Sequence, residues 1–133
     1  GAFVSGTHSG LMYNTWPLYN GNIFPFFETT QIRWLTNFFE NGEYIIFIHR
    51  TFAMLILLIL FYLNYLIIIN KLQKKYFSVI VFFNITFILQ IILGVSMTYL
   101  NIPWHLALLH QGNSILVFLL SFFMYVLSIK SPQ

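Results

Sequence analysis

Two histidines in this 133-residue chain stand where an ionisable side chain is costly: His49, followed by Arg50, and His110, followed by Gln111. Neutral imidazole is a common metal ligand, and two imidazoles approaching from opposite sides can hold a porphyrin iron. His49-Arg50 opens the run Thr51–Ile69, TFAMLILLILFYLNYLIII, which carries no charge. As a helix that run rises about 28 Å, close to the thickness of a bilayer core. A helix apolar on every side has no solvent face, so lipid is its surrounding. Charged or titratable groups at the mouth of such a helix mark a function or an anchor. The other two histidines differ. His105 lies five residues before His110, near an interface, and His8 lies in a loop; both read as interfacial, solvated or structural. The three acids (Glu28, Glu40 and Glu43) lie ahead of this helix, so the histidines lack the acid partners of a closed tetrahedral zinc site. With no cysteine, disulfides and thiolate metal sites are excluded.

The elements that position these residues are membrane spans. The chain is 59% hydrophobic and 7% charged, against about 25% charged in soluble domains. The reading is all-α: a polytopic transmembrane bundle of three full spanning helices plus an outer loop. Residues 1–43 are expected to hold the end of a preceding helix (Gly1–Gly6) and a loop with turn chemistry at Asn14-Thr15-Trp16-Pro17 and Asn20-Gly21. The aromatic-rich stretch 23–43 suits the membrane interface, with a short amphipathic helix expected over Thr29–Phe39. Residues 44–133 form the half-bundle, with spans expected over Tyr44–Asn70, Tyr76–Leu100 and Trp104–Ile129, joined by the basic turn Lys71–Lys75 and the tight turn Asn101-Ile102-Pro103. The middle span carries Asn84, Thr86, Gln90, Gly94, Ser96 and Thr98, small and polar groups that usually face other helices.

The lysines of the basic turn, with Lys130, place that end of the spans in the cytoplasm or matrix, and the 7–43 loop on the periplasmic or intermembrane side. Arg50 then stands against the rule, as a functional residue would. Six basic residues make no stripe for nucleic acid. His49 is about 21 residues from Asn70 and His110 about 20 from Lys130, so each lies roughly 30 Å from the basic end. The first and third spans are parallel in this topology, which sets both imidazoles at one depth. Facing helices of a bundle hold cofactors in this way. The geometry fits a heme pair and fits two interfacial, hydrogen-bonded histidines about equally.

Four segments add a resemblance. GAFVSGTHSGLMYNTWPLYNG (residues 1–21), NFFENGEYIIFIHR (residues 37–50), QIILG (residues 90–94) with Ser96-Met97-Thr98, and IPWHLALLHQ (residues 102–111) resemble, in order, the signature segments of the heme A synthase family. The resemblance implies the C-terminal half of an eight-helix membrane oxidoreductase of two similar halves, which oxidises the C8 methyl of heme O to the formyl of heme A for cytochrome c oxidase assembly. It implies heme b as cofactor, with His49 and His110 as axial ligands of the iron. Arg50 and Gln111 accompany them, toward a propionate and the pocket wall. Asn14, Thr15, Trp16 and Pro17 would cover the heme, Glu40 and Asn41 would support the loop, and Gln90 and Gly94 would pack the middle span. Heme O as substrate, the N-terminal half of the enzyme, heme O synthase, oxidase assembly factors and the lipid bilayer are the implied partners. The catalytic residues and substrate heme are expected mainly in the N-terminal half. The chain departs from the family pattern at His8, where an acid is usual, at Ile46 and Ile48, where polar residues are frequent, and at Tyr19, where Met is usual. A b-type cytochrome module that only moves electrons, or a cofactor-free membrane subunit, is the alternative that the residues alone leave open.

Overall fold

Among the described residues of the computed structural model three helices are long and apolar enough to cross a membrane, and the chain is an integral membrane protein. The structure describes residues 1–25, 39–69 and 77–129. The interfacial helix expected over Thr29–Phe39, the basic turn Lys71–Lys75 and Lys130 lie outside the described residues, Phe39 excepted. In chain order the helices are α1 (Ala2–Gly6), α2 (Gly42–Ile69), α3 (Phe77–Tyr99) and α4 (Trp104–Ile129), with one turn of 3-10 helix at Ser9–Leu11. No strand occurs among the described residues.

The start of α2 is set by a cap. Asn41 Oδ1 accepts hydrogen bonds from the backbone N–H of Glu43 (2.9 Å) and of Tyr44 (3.3 Å), satisfying donors that a first turn leaves open. The helix therefore begins at Gly42, two residues before the expected Tyr44. Its 28 residues reach about 42 Å, longer than the apolar core of a bilayer.

The turn between α3 and α4 stops one helix and starts the next within four residues. Asn101 takes φ 55° and Ile102 φ 54°, and Ile102 N–H reaches back to the Met97 carbonyl at 2.9 Å. That is the six-to-one bond of a Schellman ending, with Asn in the left-handed position where Gly is commonest. A positive φ is unusual for a β-branched residue such as Ile102 and is strained. Its side chain is held against Gly10, where an added Cβ would lie 2.5 Å from Ile102 Cδ1. Pro103 then offers its carbonyl to Ala107 N–H (3.1 Å), opening α4. The result is an antiparallel α3–α4 hairpin packed along its length.

Polar residues of α3 divide into two groups. Asn84 pairs reciprocally with Asn64 of α2 at 2.8 and 3.0 Å, and Gln90 reaches α4. Thr86 and Thr98 instead bond their own helix, Thr86 to the carbonyls of Phe82 and Phe83 and Thr98 to that of Gly94. The buried residues of α2 are Ile45, Ile46 and Leu60, those of α3 are Thr86 and Phe87, and α4 has none. The apolar surfaces left open suit lipid or further helices.

Candidate functional site

The N-terminal segment folds over the first turns of α2 and the α3–α4 turn, and it is fastened to both. A tight turn shapes it. Tyr19 and Asn22 exchange both backbone hydrogen bonds (2.8 and 3.1 Å), and between them Asn20 and Gly21 take φ 50° and 90°. Two successive positive φ values favour Asn-Gly in such turns. Thr15 braces it, its hydroxyl donating to the Leu18 carbonyl and accepting from Asn20 N–H, both at 2.8 Å. Trp16-Pro17 is a cis peptide. This folding turns Tyr19 inward, where it is buried with Tyr13 and Ile46, and with Val4 and Phe47 packed against them. The Tyr13 and Tyr19 rings meet edge to face at 5.1 Å.

Arg50 lies against this cluster. Its Nη2 donates to the Tyr13 carbonyl at 3.3 Å, and its guanidinium stands 4.8 Å from the centre of the Tyr19 ring, a cation–π contact. Burial pushes the Tyr19 phenol above its ordinary pKa, against the opposing pull of the Arg50 charge. Tyr13 donates its hydroxyl to Glu43 at 3.1 Å. On the hairpin side, Asn14 donates to Asn101 (2.8 Å) and Tyr99 donates its hydroxyl to the Trp16 carbonyl (2.8 Å). Tyr13 and Tyr99 have no role in the sequence reading, and Asn101 enters it only as a turn residue. Tyr19 was visible there only as a departure from the family pattern.

His49 lines an open cleft of about 280 Å³ with Gly1, Phe3, Val4, Ile45, Ile48 and Phe52. His110 faces α3. Its ring rests on Gly94, where an added Cβ would lie 3.1 Å from the ring Cε1. Its Nε2 is 3.0 Å from Gln90 Nε2. Gln90 and Gly94 therefore do more than pack α3: together they seat His110. Gln111 is exposed, one residue and about 100° further round α4. Glu40 and His8 are exposed, and His105 is exposed with its ring edge-on to Trp104 at 5.9 Å.

The four sequence segments that carried the resemblance thus meet at one end of the molecule, joined by Tyr13–Glu43, Arg50–Tyr13, the contact of Gly10 with Ile102, and Gln90–His110. Residues 1–122 match the family described as Cytochrome oxidase assembly protein. The chain belongs to that family. Its relatives include the Heme A synthase of Wolbachia sp. subsp. Brugia malayi (strain TRS), 43% identical over 121 residues, covering 89% of this chain and 33% of the relative. The Heme A synthase of Pelagibacter ubique (strain HTCC1062) is 37% identical over 117 residues, 88% of this chain and 34% of the relative. That of Brucella ovis (strain ATCC 25840 / 63/290 / NCTC 10512) is 36% identical over 125 residues, with 88% and 33% covered. The chain spans about a third of the length of these curated relatives. No solved structure matches it.

The residues of this cytochrome oxidase assembly family member can be tested against a heme. Among the described residues no three ligating side chains gather for a bare metal ion, whereas two imidazoles suit an iron whose other positions a macrocycle fills. Two buried polar atoms have no partner among the described residues, Arg50 Nη1 and His110 Nδ1. Leaving a buried donor unpaired costs about 1–3 kcal/mol, so both atoms call for a group from beyond these residues. An anion beside Arg50 Nη1 fits that donor set, and His110 Nδ1 calls for an acceptor when it carries the ring proton.

Proposed function

We propose that this chain forms the heme b-binding part of a heme A synthase, an oxidoreductase that converts the C8 methyl of heme O to the formyl of heme A. The observation that carries the reading is Arg50, next to His49 in sequence and held under the N-terminal segment with its Nη1 buried and unpaired, in a chain whose relatives are heme A synthases over most of its length. His49 and His110 would hold the iron. Arg50 would pair with a propionate through Nη1, which is buried and unpaired, while Tyr13 and Tyr19 hold the rest of its guanidinium. The segment from Asn14 to Pro17, tied to Asn101 and Tyr99, shields the site from water. Gln111 meets the cofactor or the rest of the protein from the exposed side of α4. When bound, the heme supplies the redox chemistry, and this chain supplies its orientation and electrostatics.

The basic turn Lys71–Lys75 supports a loop on the periplasmic or intermembrane side of a bacterial cell membrane or mitochondrial inner membrane. Heme O, the N-terminal half of the enzyme, heme O synthase and oxidase assembly factors are the partners this role requires.

The test is the visible spectrum of the full-length protein purified in detergent. The reduced low-spin b-type bands assigned to this half are expected to disappear in His49→Ala and in His110→Ala. Retention of those bands in either variant refutes the ligand pair. Conversion of heme O by the full-length protein then separates the synthase from a b-type cytochrome that only carries electrons.

A further inference from the structure

A chain of hydrogen bonds beginning at a backbone carbonyl fixes the protonation pattern of His110. The Thr86 carbonyl can only accept, so the Asn113 side-chain atom 2.9 Å from it is the amide nitrogen. That nitrogen also donates to Gln90 Oε1 at 2.8 Å. With its oxygen engaged there, Gln90 turns its own amide nitrogen to His110 Nε2 at 3.0 Å. An amide nitrogen donates and does not accept, so a neutral His110 presents the Nε2 lone pair and carries its proton on Nδ1. No step of this chain of bonds rests on a free choice of amide orientation once the Thr86 carbonyl is fixed. Gly94, one helical turn beyond Gln90, keeps the ring in place, since a side chain there would meet Cε1.

We infer that Gln90 and Asn113 are positioning residues for His110, forming a relay from the Thr86 carbonyl that makes Nε2 the basic nitrogen of the imidazole. A metal takes a ring lone pair, and the orientation of a ligating histidine is commonly set by the groups around it. The relay leaves Nε2 unprotonated but holds its lone pair in the bond from the Gln90 N–H, so a metal at Nε2 has to displace Gln90. Asn113 takes part in the relay without being assigned any contact with the imidazole. Its place three residues after His110, on the same face of α4, is the feature of the sequence that allows it. The use of the relay for iron rests on the heme reading above; the tautomer itself does not.

The test reads the tautomer directly. Full-length protein is produced in a heme-deficient host with 15N-histidine, and the His110 ring resonances are assigned by their loss in His110→Gln. At a pH where the ring is neutral, wild type is expected to show the Nδ1–H tautomer alone. Gln90→Met, close in volume but without the amide, and Asn113→Leu are each expected to release it into a mixture of tautomers. The double variant is expected to match the single ones, because both cut one relay. Unchanged His49 resonances show that the fold survives, and if Asn113→Leu does not fold, Gln90→Met carries the test. An Nε2–H tautomer in wild type, or a His110 tautomer that neither folded variant moves, overturns the relay. The spectrum of His110→Ala with heme supplied judges the ligand reading separately, so the two failures are distinguishable.

Discussion

At the loop end of the helices, Tyr13, Tyr19, Ile45 and Ile46 are buried and side chains cross between segments at every level from Glu43 to Asn101. Towards the far end, beyond Leu60 on α2, Phe61, Tyr62, Tyr65 and Ile68 are exposed, as are Phe118 and Tyr125 on α4. There the Asn64–Asn84 pair joins α2 to α3. The contrast follows from the solvent. In lipid an apolar side chain gains little by leaving the surface, because the surroundings are as apolar as a neighbouring helix. Polar and charged groups gain a great deal, since an unpaired one in such surroundings is expensive. Protein–protein packing is therefore concentrated where His49, Arg50 and His110 require it.

The largest expected effect tests that contrast. Ile46→Ala opens a cavity among Tyr13, Tyr19 and Val4 and is expected to destabilise the protein by about 2–5 kcal/mol. Phe61→Ala, at a 64% exposed position, is expected to cost under about 0.5 kcal/mol. SDS-induced unfolding in mixed micelles measures both. Equal losses would mean that the far end is as closely packed in the whole protein as the loop end.

This comparison also shows what was legible in the sequence. The spans were, because a long uncharged apolar run has one physical home; within the described residues their ends differ from expectation at Gly42, where Asn41 caps the helix, and at Tyr99, where the Asn101 turn ends it. The approach of the four segments followed from shared helix ends. What was not legible depends on register and on backbone shape. Gln90 and Gly94 read as packing residues, since their alignment with His110 depends on how the Asn101–Ile102 turn registers α3 against α4. Gln111 follows His110 in sequence but leaves its face, because one residue turns a helix by about 100°. Tyr19 points inward because of positive φ values at Asn20 and Gly21, and the Asn-Gly sequence announced a turn without saying which neighbour it would bury.

A second prediction breaks the loop end at its junction with the hairpin. Gly10→Ala places a methyl group against Ile102, and overpacking of this kind typically costs about 1–3 kcal/mol. The same unfolding assay should show the loss. Ile102→Ala in the Gly10→Ala background frees the space and should restore part of the stability. If Ile102→Ala adds its own loss instead, the contact is not what holds the strained turn.

The smallest effect is expected at the far end, where the two asparagines are each other's partners. Asn64 Nδ2 donates to both Asn84 Oδ1 and the Leu60 carbonyl, so removing Asn84 leaves Asn64 with a local alternative. Hydrogen bonds between spanning helices have a measured worth of about 0.6 kcal/mol on average, reaching about 1.7. Asn84→Leu is therefore expected to cost about 1 kcal/mol, and Asn64→Leu about the same. The Asn64→Leu/Asn84→Leu double variant should lose less than the sum, because the second change removes a partner already without its bond. A coupling energy near zero would show that each amide is satisfied by its own helix. It would leave the loop end as the site of inter-segment polar bonding among the described residues, sharpening the contrast between the two ends rather than erasing it.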